Sequence, residues 1–124
     1  MNRIIYTKNA PEPVGPYSQA VLCGETLYCS GQIPLDPETG ALCGGDIAEQ
    51  TVLVCENIRA VLSAAGMTFD NVAKTTCFLT DMEDFAAFNA VYTGYFTASP
   101  ARSCVAVKAL PKGAAVEIEV IAVV

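Results

Sequence analysis

Histidine is missing from the 124 residues. Its absence removes the commonest general base and the commonest metal ligand. Six cysteines are present, Cys23, Cys29, Cys43, Cys55, Cys77 and Cys104. No two form a C-x-x-C pair, so their spacing offers no zinc site. Charge is sparse as well, with charged residues at 16%. The cations Arg3, Lys8, Arg59, Lys74, Arg102, Lys108 and Lys112 are scattered. A net charge of −6 repels phosphate backbones and argues against general nucleic-acid binding. No apolar run approaches the ~20 residues that cross a bilayer. The stretch Met1-Asn2-Arg3-Ile4-Ile5-Tyr6 is too short and too soon polar for a signal peptide. The expectation is a cytoplasmic chain that needs no metal or cofactor, with reduced thiols that mostly act as small core residues. Repeats, linkers and low-complexity segments are absent.

What is abundant is apolar surface, since 52% of the residues are hydrophobic. A chain of this length makes one domain, residues 1–124, around a single core. So much apolar surface on a small domain predicts that a partner subunit covers part of it.

The order of elements follows from pattern and punctuation. Arg3 to Tyr6 reads as a short strand. Pro11, Pro13 and Pro16 then fix a loop through Gln19. A rigid loop suits Tyr17 to cover a pocket, or to plug the core edge. Ala20 to Leu22 and Leu27 to Cys29 form a hairpin about Gly24-Glu25, which pairs Cys23 with Thr26 and Ala20 with Cys29. That register disfavours a Cys23–Cys29 bridge. In the following Ser30-Gly31-Gln32-Ile33-Pro34, Gly31 permits close backbone approach, and Ser30 is a pocket hydroxyl or a strand-end turn cap. Asp36 to Gly40 is a turn. Asp46 opens a first helix through a capping box with Glu49. Ile47, Thr51, Val54, Ile58, Val61 and Ala65 form its buried stripe, and Gly66 ends it.

Asn71 to Leu79 is the next strand, and Thr80 to Glu83 reads as a second capping box. Phe85, Asn89, Tyr92 and Phe96 share a face of the second helix, where Asn89 is a satisfied core amide or a group aimed at a ligand. Arg102 to Leu110 and Val116 to Val124 are the last strands. The fold class is α+β, a mixed β-sheet with two helices on one face. The other face has no helix left to cover it, which predicts an oligomer.

Arg102 stands out. Alternation places Arg102, Cys104, Ala106 and Lys108 on one strand face. A guanidinium between Pro100-Ala101 and an apolar run needs a planar anion. That anion is one of the chain's own carboxylates or a ligand.

Taken together, Gly15-Pro16-Tyr17-Ser18-Gln19-Ala20, Ser30-Gly31-Gln32-Ile33-Pro34, Asn89, Pro100-Ala101-Arg102-Ser103-Cys104-Val105, Leu110-Pro111 and Val116-Glu117-Ile118 resemble the RidA (YjgF/YER057c/UK114) family over nearly the whole chain. The resemblance implies a chorismate-mutase-like fold, a homotrimer with pockets between subunits, and hydrolysis of 2-imino acids and their enamines to 2-keto acids and ammonia. It implies that Arg102 binds the substrate carboxylate and that Glu117 handles the attacking water. Cys104 would contribute backbone groups. Ser30 and Gly31 would line the pocket, with Tyr17 and Asn89 at its edge. One departure is visible: only Thr97-Ala98-Ser99 separates Phe96 from Pro100, which bears on the pocket rim and side-chain preference.

The residues fit this chemistry independently. A protonated imine is already an electrophile, so an anchored carboxylate, a positioned water and one proton carrier suffice. Cys104 is a weaker nucleophile candidate because no histidine activates it. The competing readings are a non-catalytic small-acid sensor, an RNA-directed translation inhibitor and a chorismate mutase. Ligand binding without turnover would mark the first. Net charge weighs against the second, and a single arginine weighs against a dicarboxylate substrate.

Overall fold

The computed structural model describes residues 2–124. Six strands form one sheet in the order β1-β2-β3-β6-β4-β5. They are β1 (Asn2–Ile5), β2 (Ala20–Cys23), β3 (Thr26–Cys29), β4 (Val72–Leu79), β5 (Ala101–Ala106) and β6 (Val116–Val123). Only β4 and β5 run parallel; the other neighbours are antiparallel. The two helices are α1 (Ile47–Ala64) and α2 (Phe85–Tyr95). The mixed sheet with two helices is the expected fold class. The hairpin register is also as expected, with Ala20 opposite Cys29 and Cys23 opposite Thr26.

Helix α1 begins and ends on local chemistry. The Asp46 carboxylate accepts the Glu49 N–H at 2.9 Å, and the Glu49 side chain reaches back to the Asp46 N–H. At the other end Gly66 adopts φ +74. Met67 N–H donates to Leu62 O and Gly66 N–H to Ser63 O, which satisfies carbonyls the last turn leaves open. Between the caps Thr51, Val54, Ile58 and Val61 are buried as the stripe requires, together with Leu62 and Cys55. Ile47 and Ala65 pack partly buried at its ends. The stripe meets Val116, Ile118, Val120 and Ala122 of β6, each at most 1% exposed.

Two expectations are corrected. The turn before α2 is capped by Asp81, whose carboxylate accepts the Glu83 N–H at 2.9 Å. Thr80 does not cap it; its N–H donates to Ala115 O and ties the end of β4 to the β6 side. The strand holding Arg102 stops at Ala106, not at Leu110. Ala106 lies opposite Leu79, where β4 ends, so the chain beyond has no partner strand. Lys108 therefore lies outside the strand.

The face of the sheet away from the helices carries Ile4, Val21, Tyr28, Ile121 and Val123 across β1, β2, β3 and β6, and Phe78 and Val105 across β4 and β5. Ile4 is 68% exposed and Tyr28 51%.

Gln19 holds the proline-rich loop. Its Oε1 accepts the Thr7 N–H at 2.8 Å, and its amide N–H groups donate to the carbonyls of Thr7, Ala10 and Pro11. The side chain is 2% exposed. Gln19→Leu leaves these partners buried and unpaired, a cost of about 2–4 kcal/mol. Thermal unfolding of the variant is expected roughly 5–15 °C lower.

Candidate active site

Glu117 is the first ionisable side chain on the outer face of β6. The segment after β3 is laid beside it by two backbone hydrogen bonds: Gln32 N–H donates to Ile118 O at 2.9 Å and Ile118 N–H to Gln32 O at 3.2 Å. Tyr28 lies opposite Ile121, and Gln32 pairs with Ile118. Residues 29, 30 and 31 thus face only residues 119 and 120, the count of a β-bulge. Gly31 sits in that bulge against the glutamate. A Cβ on Gly31 would come within 2.0 Å of Glu117 Oε2 and 2.8 Å of its Cδ. Glycine thus leaves the space that the Glu117 carboxylate fills.

The carboxylate lies in a cleft of about 470 Å³ lined by Tyr17, Ser30, Gly31, Ile33, Pro111 and Lys112, among others. Burial, and secondarily the charge of Glu119, raises the Glu117 pKa above its ordinary value. A half-buried carboxylate of raised pKa beside a cleft suits proton transfer. Ser30 is occupied otherwise: its hydroxyl donates to Ser18 O at 2.6 Å, and its N–H donates to Gln19 O. It shapes the cleft wall as a strand-end cap. Tyr17 is 52% exposed at the cleft, so it does not plug the core.

Arg102 lies elsewhere. It pairs across β4 with Thr75, whereas Glu117 pairs with Phe78. Thr75 and Phe78 are three residues apart on one strand and point to opposite faces. Arg102 is therefore on the helix face of the sheet and Glu117 on the bare face. Tyr17, Ser30 and Gly31 gather around Glu117 on one side of the sheet, and Asn89 and Cys104 accompany Arg102 on the other.

The arginine has no carboxylate partner. Among the described residues the one ion pair joins Arg59 to Glu56 at 3.2 Å. The Arg102 guanidinium instead stands 4.7 Å from the Tyr92 ring centroid and 5.5 Å from that of Phe85. Its Nη1 donates to Asn89 Oδ1 at 2.7 Å. Tyr92 is fixed in turn by a 2.8 Å hydrogen bond between its hydroxyl and that of Thr75, and by stacking on Phe96. Cys104 lies opposite Cys77 on β4. Burial raises its thiol pKa despite the neighbouring Arg102, so the reactive thiolate is disfavoured.

Sequence reading missed the supporting residues: Gln19 and Gln32, which set the loops, and Tyr92 and Phe85 as a platform for the arginine. The aromatic spacing placed Phe85 and Tyr92 on the right helix face. Nothing local signalled that they would meet Arg102, 17 and 10 residues away.

Residues 7–124 match the family model described as Endoribonuclease L-PSP. The chain belongs to this YjgF/Rid family. It is 53% identical over 98% of both chains to a RutC family protein of Pyrococcus horikoshii. It is 51% identical over 99% of this chain and 90% of the other to the 2-iminobutanoate/2-iminopropanoate deaminase of the goat Capra hircus. A crystal structure of a Rid family protein from Yersinia pestis superposes with a TM-score of 0.97 at 52% identity, covering 100% of each chain. Rid family members thus carry several names, and the fold of this chain is theirs throughout.

The contact between Gly31 and Glu117 can be tested directly. In Gly31→Ala the flexible carboxylate, and not the backbone, is expected to yield and swing into water. NMR titration should then show the Glu117 pKa falling back toward the ordinary carboxylate range, with the fold retained.

Proposed function

We propose that the protein hydrolyses 2-imino acids and their enamine tautomers, such as 2-iminobutanoate and 2-iminopropanoate, to 2-keto acids and ammonium. The observation that carries this reading is an arginine held in place by neutral groups alone, with its charge left for an external anion. A 2-imino acid supplies a planar carboxylate that matches the fork of a guanidinium. The goat relative's name supports the same substrate class.

In the reaction, Arg102 anchors the carboxylate and fixes the direction of C2. Glu117 takes a proton from water as the oxygen adds to C2 of the protonated imine. The same proton goes to the amine nitrogen of the tetrahedral adduct; as the C–N bond breaks and the carbonyl forms, Glu117 takes the hydroxyl proton and passes it to the departing ammonia, which leaves as ammonium. Imine and water become keto acid and ammonium with no redox partner. Because Arg102 and Glu117 of one chain occupy opposite faces of its sheet, the reaction requires half-sites from two copies. A homotrimer meets this requirement and also covers the apolar face of Ile4, Tyr28 and Val105. Three two-part sites then lie at the subunit boundaries. The backbone of Ser103 and Cys104, on the edge strand β5, carries hydrogen-bonding groups without a partner strand that suit the same ligand.

The assay generates 2-iminobutanoate in situ from a dehydratase and follows keto-acid release with and without the protein; equal rates would sink the proposal. Arg102→Lys keeps the charge and loses the fork, so it should impair kcat/KM nearly as much as Arg102→Ala. Both should lose about 2–4 kcal/mol of transition-state binding, roughly 30- to 1000-fold. Melting should stay nearly unchanged, since no protein carboxylate is the partner.

Glu117→Gln should slow hydrolysis by ~10²–10⁴-fold while keeping ligand binding. The raised Glu117 pKa places the acid limb of the wild-type pH–rate profile above the ordinary glutamate range, because activity requires the ionised base. Glu119→Gln removes a like charge that raises that pKa, and should shift the limb to lower pH.

A further inference from the structure

The partner of Arg102 is an amide, and an amide differs from a carboxylate in what it leaves behind. We infer that Asn89 is a positioning residue that fixes the Arg102 guanidinium while preserving its full positive charge for a carboxylate ligand. This deepens the deaminase reading and rests on it.

The geometry carries the inference. Asn89 lies one turn after Phe85 and one turn before Tyr92 and Thr93 on α2. Its backbone carbonyl accepts the Thr93 hydroxyl at 2.8 Å, within the helix. Its side-chain oxygen accepts from Arg102 Nη1 at 2.7 Å. That single bond uses one of the five guanidinium N–H donors. The rings of Tyr92 and Phe85 lie beside the guanidinium and contribute no net charge. With the amide oxygen committed to Arg102, the amide nitrogen is left on the other branch of the side chain. Both groups then offer donors, a surface complementary to an anion.

Carboxylates precede α2 in the chain, and none of them pairs with Arg102. Asp81, Glu83 and Asp84 occupy the turn leading into α2. The Asp81 carboxylate accepts the Glu83 N–H. Phe85 separates these acids from Asn89 by a helical turn. A carboxylate at position 89 would differ from the amide by one charge at the same reach. It would take the guanidinium as an internal ion pair, and a substrate carboxylate would have to displace it. Neutrality at position 89 is thus what keeps Arg102 available.

The test uses 2-oxobutanoate, the proposed product, as the probe, with calorimetric binding to the wild-type protein and to Asn89→Asp, Asn89→Ala and Arg102→Ala. Melting temperature and imine hydrolysis are measured on the same samples. Asn89→Asp is expected to weaken binding at least tenfold and raise KM with a smaller change in kcat, while melting is unchanged or higher. Asn89→Ala, which loses the anchor but adds no charge, should weaken binding less than Asn89→Asp does. A merely structural asparagine would lower the melting temperature in both variants and leave the affinity of the folded protein unchanged.

Wild-type affinity in folded Asn89→Asp overturns the inference. If that variant does not fold, wild-type affinity in Asn89→Ala does so. Failure of the deaminase reading looks different: wild type and Arg102→Ala would bind the keto acid equally, or wild type would bind it without hydrolysing the imine.

Discussion

The register of β4 with its two neighbours decides how this protein can work. Arg102 lies opposite Thr75 and Glu117 opposite Phe78. The odd separation between those β4 positions puts the guanidinium and the Glu117 carboxylate on different faces of one sheet. Flexibility in either side chain cannot undo this, because a sheet of paired strands lies between them. The fold therefore keeps the two groups apart within one chain, and any chemistry that needs both becomes a property of an assembly. The bare sheet face is consistent with the same conclusion. Its apolar rows run from Ile4 to Ile121 and from Phe78 to Val105, and no helix of the chain covers them, so that Ile4, Tyr28 and Val105 stand exposed.

The surroundings of Glu117 and of Arg102 share one feature. Gly31 removes one side chain so that Glu117 can lie against the backbone in a half-buried position, where its pKa rises. Arg102 is held by rings and one amide oxygen, so its charge is undiminished. In both cases the neighbours set the position of the group without neutralising it. The thiols follow the opposite pattern. Burial raises the Cys29 and Cys77 pKa values to about 12, which leaves these cysteines as small core residues.

Local signals in the sequence were legible. The Asp46–Glu49 capping box, the Gly66 helix end and the Cys23–Thr26 hairpin register each depend on residues a few positions apart, and each formed as read. The strand at Arg102 was placed correctly at its start because Pro100 punctuates it. Its end at Ala106 was not, because that end is set by where a different strand, β4, runs out. Alternation within β5 and within β6 was also legible. The relative phase of the two was not, because it depends on their separate registers with β4.

The partner of Arg102 shows where sequence reading stops. Residue chemistry alone demanded a planar anion and left open whether the chain or a ligand supplied it. The structure narrows that choice by showing what the chain does supply: Asn89, Tyr92 and Phe85, all uncharged. An arginine set beside two rings and bonded to one amide keeps four of its five N–H donors for other partners. Neither the rings nor the amide carries a charge that would offset that of the guanidinium. Platform and amide fix where that charge points before any ligand arrives, so less ordering remains to be done on binding. The aromatic residues of α2 thus serve two surfaces: Phe88 closes the core, and Phe85 and Tyr92 flank the Arg102 guanidinium.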